Sequence, residues 1–232
     1  MVELIVLGIA LLPGFAWLFF FLQEEDHEEP KRLVLFTFLL GIAAALVAFG
    51  VQYYGLQPLL FGEHDAAISI IALLILAATE EIAKFGAAYL AVHDNPAFTE
   101  PIDAMIYMVI AALGFATLEN FGAIYDTVTR ALPVTTQSAL IIGLQTASLR
   151  FVGATLLHTL SSAIVGYYWA WSIREFNRTR ILLGGLVAGT VLHAFFNYLI
   201  IKNDNLSYAL AFVIIVGFFV LNDFESFREK KL

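Results

Sequence analysis

Cysteine is absent from the 232-residue chain, which excludes a disulfide framework and any thiolate-liganded metal. Charge is scarce as well: Asp, Glu, Lys and Arg together make up 14% of residues against 60% apolar ones, and mean hydropathy is +0.84. So little charge excludes a soluble single domain and describes a polytopic membrane protein. Positive charge is the rarer sign, with a net charge of −8 concentrated in loops such as 23–29, and nucleic acid is therefore excluded as a partner. Internal repeats and low-complexity segments are also missing. The first apolar stretch carries Glu3 where a secretion signal has a basic start, and it ends in Phe19-Phe20-Phe21 without a small-residue cleavage site, so it is expected to remain attached.

What is present is a series of apolar stretches, each close to the roughly 20 residues that cross a bilayer as a helix. Seven qualify, at 2–22, 33–54, 67–92, 102–125, 150–171, 181–201 and 207–221. They predict an all-α fold, a polytopic transmembrane helix bundle forming one integral membrane domain over residues 1–232. Pro133, Thr135, Thr136 and Ser138 open a mixed segment up to 149, which predicts either an amphipathic interfacial helix or an extension of the fifth span. Lys31, Arg32, Arg174, Arg178, Arg180, Arg228, Lys230 and Lys231 fall on one side of this arrangement, against Arg130 and Lys202 on the other. An excess of basic residues marks the cytoplasmic face, so the N-terminus is expected outside and the C-terminus in the cytoplasm.

Several polar residues interrupt these stretches: Glu80, Glu81 and Lys84; Glu119 and Asn120; Arg150; His158; His193 and Asn197. An ionisable group at the centre of a membrane helix costs roughly 2.5–3.5 kcal/mol on insertion scales, which makes such residues functional candidates. At 1.5 Å per residue, Glu119, His158 and His193 fall within roughly 9–12 Å of the outer surface, with Glu80 somewhat deeper. Facing one another around a watered cavity is the simplest way for them to lower their desolvation cost. Lys84 lies four residues after Glu80 and three after Glu81, so either acid can pair with it and leave the other free. His193 and Asn197, four apart, stack an imidazole and a carboxamide on one face of a helix.

Taken singly, each has a structural explanation: an intramembrane ion pair for Glu81 and Lys84, helix-to-helix hydrogen bonds for His158 and Asn197, a helix start for Asp103, an interfacial cation for Arg150. His27, His64 and His93 sit in acidic loops or at a span end and are discounted as ligands. A shared membrane depth is what these separate explanations do not account for.

In their order along the chain these residues resemble a known set of motifs. Glu80-Glu81-Ile-Ala-Lys84 resembles the EExxK motif of the PrsW family of intramembrane proteases, Phe115-Ala-Thr-Leu-Glu119-Asn120 its FxxxEN motif, and His193-Ala-Phe-Phe-Asn197 its late HxxxN-type motif. Asp103, Arg150 and His158 also fit the pattern, and the motif-bearing core runs from about 67 to 201. The family is related to the CAAX prenyl proteases, which usually have histidine where this chain has Glu119. The resemblance implies an endopeptidase of a prokaryotic cytoplasmic membrane, acting on membrane-anchored proteins of the anti-sigma-factor kind.

Hydrolysis of a peptide bond requires an activated water, an oxyanion stabiliser and a proton donor for the leaving amine. Glu80 is the expected base, supported by Glu81 and Lys84, although either acid could take the role; His193 and Asn197 are the expected oxyanion donors. Two chemistries fit the remaining groups. In one, Glu119, His158 and His193 hold Zn2+ with a position open for water. In the other no metal is used and the glutamates alone activate water, with His158 positioning it. Outside proteolysis, a proton-coupled transporter would also bury acids and histidines, but would show broken helices in two corresponding halves, which this sequence lacks. A non-catalytic membrane scaffold would have lost Glu80 or His193.

Overall fold

The computed structural model describes residues 2–23, 29–56, 70–131, 136–176, 178–202 and 206–229. His27, His64, residues 67–69 at the expected start of the third span, Pro133, Thr135, Lys230 and Lys231 lie outside the described residues. Every regular element described is helical: α1 Val2–Phe21, α2 Lys31–Gly50 with a π-helical tail Val51–Leu56, α3 Ile70–Val92 and α4 Pro101–Ala131. There follow α5 Thr136–Arg150, a π-helical turn Phe151–Thr155, α6 Leu156–Arg174, α7 Thr179–Lys202 and α8 Ser207–Glu229. The fold is thus the all-α, polytopic bundle expected from the sequence. Among the described residues, six helical stretches are long and apolar enough to cross a membrane. The one expected span outside these six is the third, 67–92: its helix α3 has 23 residues, and Glu80, Glu81 and Lys84 in its interior lower its apolar character.

α4 is the axis of the bundle. It opens with Pro101, whose fixed φ suits the first helical position, while Asp103 accepts hydrogen bonds from the backbone N–H groups of Thr99 (2.7 Å) and Glu100 (2.9 Å). Residues 102–117 are buried on every side, as expected of a helix that is apolar all round, and α1, α2, α3 and α6 pack against it. Between apolar helices in lipid, association relies on close van der Waals contact and hence on small residues. Here a Cβ on Gly41 of α2 would overlap the carbonyl of Ala111, and one on Gly114 of α4 the carbonyl of Phe38.

Gly114→Ala is therefore expected to force α2 and α4 apart, at a cost of about 1–3 kcal/mol. Gly86→Ala, where the added methyl meets nothing within 4 Å, should be neutral or slightly stabilising. Thermal unfolding of the two purified variants in one detergent checks this; equal unfolding temperatures would refute the close-contact account.

The mixed segment before the fifth span proves to be its extension, since residues 137–174 form one helical stretch of 38 residues. At 1.5 Å per residue this is about 57 Å, nearly twice a hydrocarbon core. Its α5 portion lies along the end of α4, where Ala139 and Ala147 pack with Ile124 and Val128 and with Val6 and Ala10 of α1. At the π-helical turn, the carbonyl of Phe151 accepts a hydrogen bond from the Trp17 indole (2.9 Å), and the two rings stack at 5.0 Å. This turn lies between Arg150 and His158, two of the polar residues singled out above.

Candidate active site

α3, α4, α6 and α7 bring Glu80, Glu81, Lys84, Glu119, Asn120, His158 and His193 into one cluster, buried except for the partly exposed Glu119. The i,i+3 alternative on α3 is the one realised: Lys84 Nζ donates to Glu81 Oε1 at 2.6 Å, with both side chains fully buried. Glu81 is engaged on every side, for its Oε1 also accepts from the Ser161 hydroxyl (2.9 Å) and meets His193 Nδ1 (2.8 Å), and its Oε2 accepts from the Ser162 hydroxyl (3.1 Å). A carboxylate with two oxygens and four partners has little capacity left for a substrate.

The two imidazoles are backed in parallel ways. His158 Nε2 lies 2.7 Å from Glu119 Oε2, and His193 Nδ1 lies 2.8 Å from Glu81 Oε1. A carboxylate only accepts, so in the neutral imidazoles those nitrogens carry the protons. The opposite nitrogens, His158 Nδ1 and His193 Nε2, turn toward Glu80 Oε2, at 4.0 and 3.5 Å. The rings meet edge to face at 4.8 Å, with Phe115 packed 5.5 Å from His158. Lys84 Nζ also reaches His158 Nδ1 at 3.2 Å and so ties the two halves together. Glu80 differs from Glu81 in one respect: its Oε2 is buried and has no hydrogen-bond partner.

Glu119, about one-third exposed, and Asn120, fully buried, are both held by Arg150 at the end of α5, through Arg150 Nη2 to Glu119 Oε2 at 3.2 Å and Arg150 Nε to Asn120 Oδ1 at 2.5 Å. Asn120 in turn donates to Thr155 Oγ1 (3.0 Å) in the π-helical turn. Arg150 is thus engaged with the acid cluster, which interfacial placement alone did not foresee. Asn197 lies one turn beyond His193 on α7, half-buried, and its side chain makes no hydrogen bond among the described residues. Three participants escaped the sequence reading. Ser161 and Ser162 follow His158 by three and four residues, a spacing that puts them on its face and was the available signal. Gln52, at the end of the second span, donates to Glu80 Oε1 at 3.0 Å.

Glu80 and Glu119 form the inner wall of a cleft of about 280 Å³ between α2 and α4, lined also by Ala45, Ala48, Phe115 and Leu118. Leu46 and Phe49, 59% and 62% exposed, stand at its rim, so the acids communicate with the apolar outer surface of the bundle.

Residues 29–222 match the model of a family described as PrsW family intramembrane metalloprotease. The chain is similar to Protease PrsW of Geobacillus kaustophilus, with 31% identity covering 90% of this chain and 84% of that one. It is also similar to Protease PrsW of Bacillus subtilis, at 26% identity over 97% and 96%, and to that of Clostridioides difficile, at 22% over 92% and 84%. No solved structure matches the chain. With a family model spanning the motif-bearing helices, a relative above 30% identity over most of both chains and six apolar membrane-length helical stretches, the chain belongs to the PrsW family and is an integral membrane protease.

Proposed function

We propose that the protein is an endopeptidase for membrane-anchored proteins, of the anti-sigma-factor kind that the resemblance implies, and that its water is activated at Glu80 Oε2. One observation carries this reading: a buried carboxylate oxygen without a partner, facing two imidazole nitrogens at the inner end of a cleft that opens on the apolar surface. A peptide held in the bilayer reaches such a cleft sideways, without crossing the membrane interior as an exposed polar chain. The N-terminus outside and the C-terminus in the cytoplasm then place the cleft in the outer half of the membrane.

In this reading Glu80 Oε2 accepts a proton as water attacks the scissile carbonyl. His193 has Glu81 behind Nδ1, an arrangement that steadies the imidazolium formed when Nε2 takes that proton from Glu80 Oε2, 3.5 Å away, and hands it to the leaving amine, which returns Glu80 to the carboxylate. The carboxamide of Asn197, uncommitted to other side chains, supplies an N–H to the oxyanion. Glu119 and Arg150 fix the ring of His158, and Lys84 with Ser161 and Ser162 holds Glu81 in place.

The family description implies a metal, and the residues present fit one. Glu80, His158 and His193 each offer a ligand atom, all within 4.8 Å of one another, which is a His₂Glu set of the kind zinc hydrolases use. The unpartnered Oε2 of Glu80 favours that carboxylate over Glu119, which is committed to His158 Nε2 and Arg150. Carboxylates on the far nitrogens of both imidazoles are the usual orienting partners of such ligands. A bound ion would supply a Lewis acid that makes water more acidic and polarises the carbonyl; Glu80 Oε2 and His193 Nε2 would then hold the ion, and the proton-transfer roles given to them above belong to the metal-free reaction.

The test is cleavage of a single-span substrate by purified protein in liposomes, with metal analysis of the same samples. Cleavage by the wild type, about one zinc per chain and reversible inactivation by a chelator are expected, with metal lost in His158→Ala and His193→Ala. Undiminished cleavage by metal-free protein in chelator would remove the ion and leave the glutamate-driven reaction, while an inert wild type would overturn the proteolytic reading.

A further inference from the structure

We propose that Gln52 is a positioning residue for Glu80: its amide holds one oxygen of that carboxylate and thereby presents the other to the two imidazoles. The inference rests on the proteolytic reading and extends it to a residue outside the three motifs. Gly41, Ala45, Ala48 and Gln52 follow one another at helical spacing along the inward face of α2, so a polar amide ends a stripe of otherwise small residues. It lies in the π-helical tail 51–56, whose neighbours Val51, Tyr53 and Tyr54 are exposed, at 46%, 52% and 80%, while Gln52 is turned inward. Such π-helical segments occur disproportionately at functional sites, where the altered winding re-aims a side chain.

The hydrogen bonds specify the role. Gln52 Nε2 donates to Glu80 Oε1 at 3.0 Å and to the backbone carbonyl of Leu76 at 3.2 Å. Both partners are acceptors, so the amide must turn its NH₂ group toward them, and its two protons match the two bonds. Leu76 precedes Glu80 by four residues, one helical turn of α3, so the same nitrogen is fixed to the α3 backbone and to the carboxylate above it. The carboxylate is then tethered through Oε1, and its plane is set while Oε2 stays unpartnered at 3.5 Å from His193 Nε2. Without the tether Glu80 is free to rotate into the cleft that Gln52 itself helps line.

Gln52→Leu keeps the bulk and removes the donor, and Gln52→Glu keeps the shape while offering only acceptors. Both are assayed in liposomes on a single-span substrate beside the wild type and Glu80→Gln, with unfolding temperatures measured on the same preparations. Each is expected to lower kcat by roughly 10–100-fold with KM changed by less than about twofold and unfolding temperature unchanged, since misplacement of a reacting group acts on the chemical step. An amide that merely ties α2 to α3 would lower the unfolding temperature and leave kcat per folded molecule intact; that result, or a loss confined to KM, overturns the proposal. If the wild type cleaves, Glu80→Gln does not, and Gln52→Leu retains full kcat, Gln52 alone is refuted. A wild type that cleaves nothing, or an active Glu80→Gln, refutes the proteolytic reading beneath it.

Discussion

Glu80→Gln is expected to abolish cleavage while leaving the protein folded, and Glu81→Gln to weaken the fold. The two acids are adjacent in sequence but their surroundings differ. Glu80 keeps an oxygen without a hydrogen bond, so the amide loses a proton acceptor at little structural cost, and a rate loss of roughly 10²–10⁴-fold follows from removing a general base. Glu81 accepts from Lys84, Ser161, Ser162 and His193, and a carboxamide would turn an N–H toward at least one of those donors. Cleavage rates and unfolding temperatures for both variants separate the cases; Glu80→Gln retaining full cleavage, or Glu81→Gln proving inactive at wild-type stability, would exchange the roles.

The largest effect on stability is expected from Lys84→Met. The ammonium is fully buried, 2.6 Å from Glu81, 3.2 Å from His158 Nδ1 and 5.2 Å from the centre of the Phe115 ring. Removing one partner of a buried pair leaves an uncompensated charge, at a cost of about 3–5 kcal/mol. Adding Glu81→Gln to Lys84→Met removes that orphan and should recover part of the loss, which chemical or thermal unfolding in detergent would register. A single variant as stable as wild type, or a double variant weaker than the single one by the full cost of a second buried defect, contradicts a stabilising pair.

The bundle and most of the cluster were legible because a polar residue in an apolar helix stands out, and because similar depths on separate helices leave few arrangements other than convergence. Sequence spacing could not decide between Glu80 and Glu81 as the partner of Lys84, since i,i+3 and i,i+4 both lie on one helical face; the hydroxyls of Ser161 and Ser162, brought by another helix, single out Glu81. Glu119 was assigned to a ligand set on residue type, whereas its orientation depends on Arg150, which is 31 positions away and sits just before a π-helical turn. Such a turn changes register by about one residue and leaves no trace in composition. Gln52 was hidden for the same reason.

The ion pair within α3 also bears on how the chain is made. Helices enter the bilayer in order of synthesis, so α3 arrives before α6 and α7, which carry both histidines and both serines of the cluster. An acid and a base three residues apart need no later helix to meet, so the nascent α3 can offset much of its own charge while its distant partners are still unmade. Proteolytic competence is then the last property the chain acquires: until α7 delivers His193, the unfinished protease holds its glutamates without the groups that would put them to use.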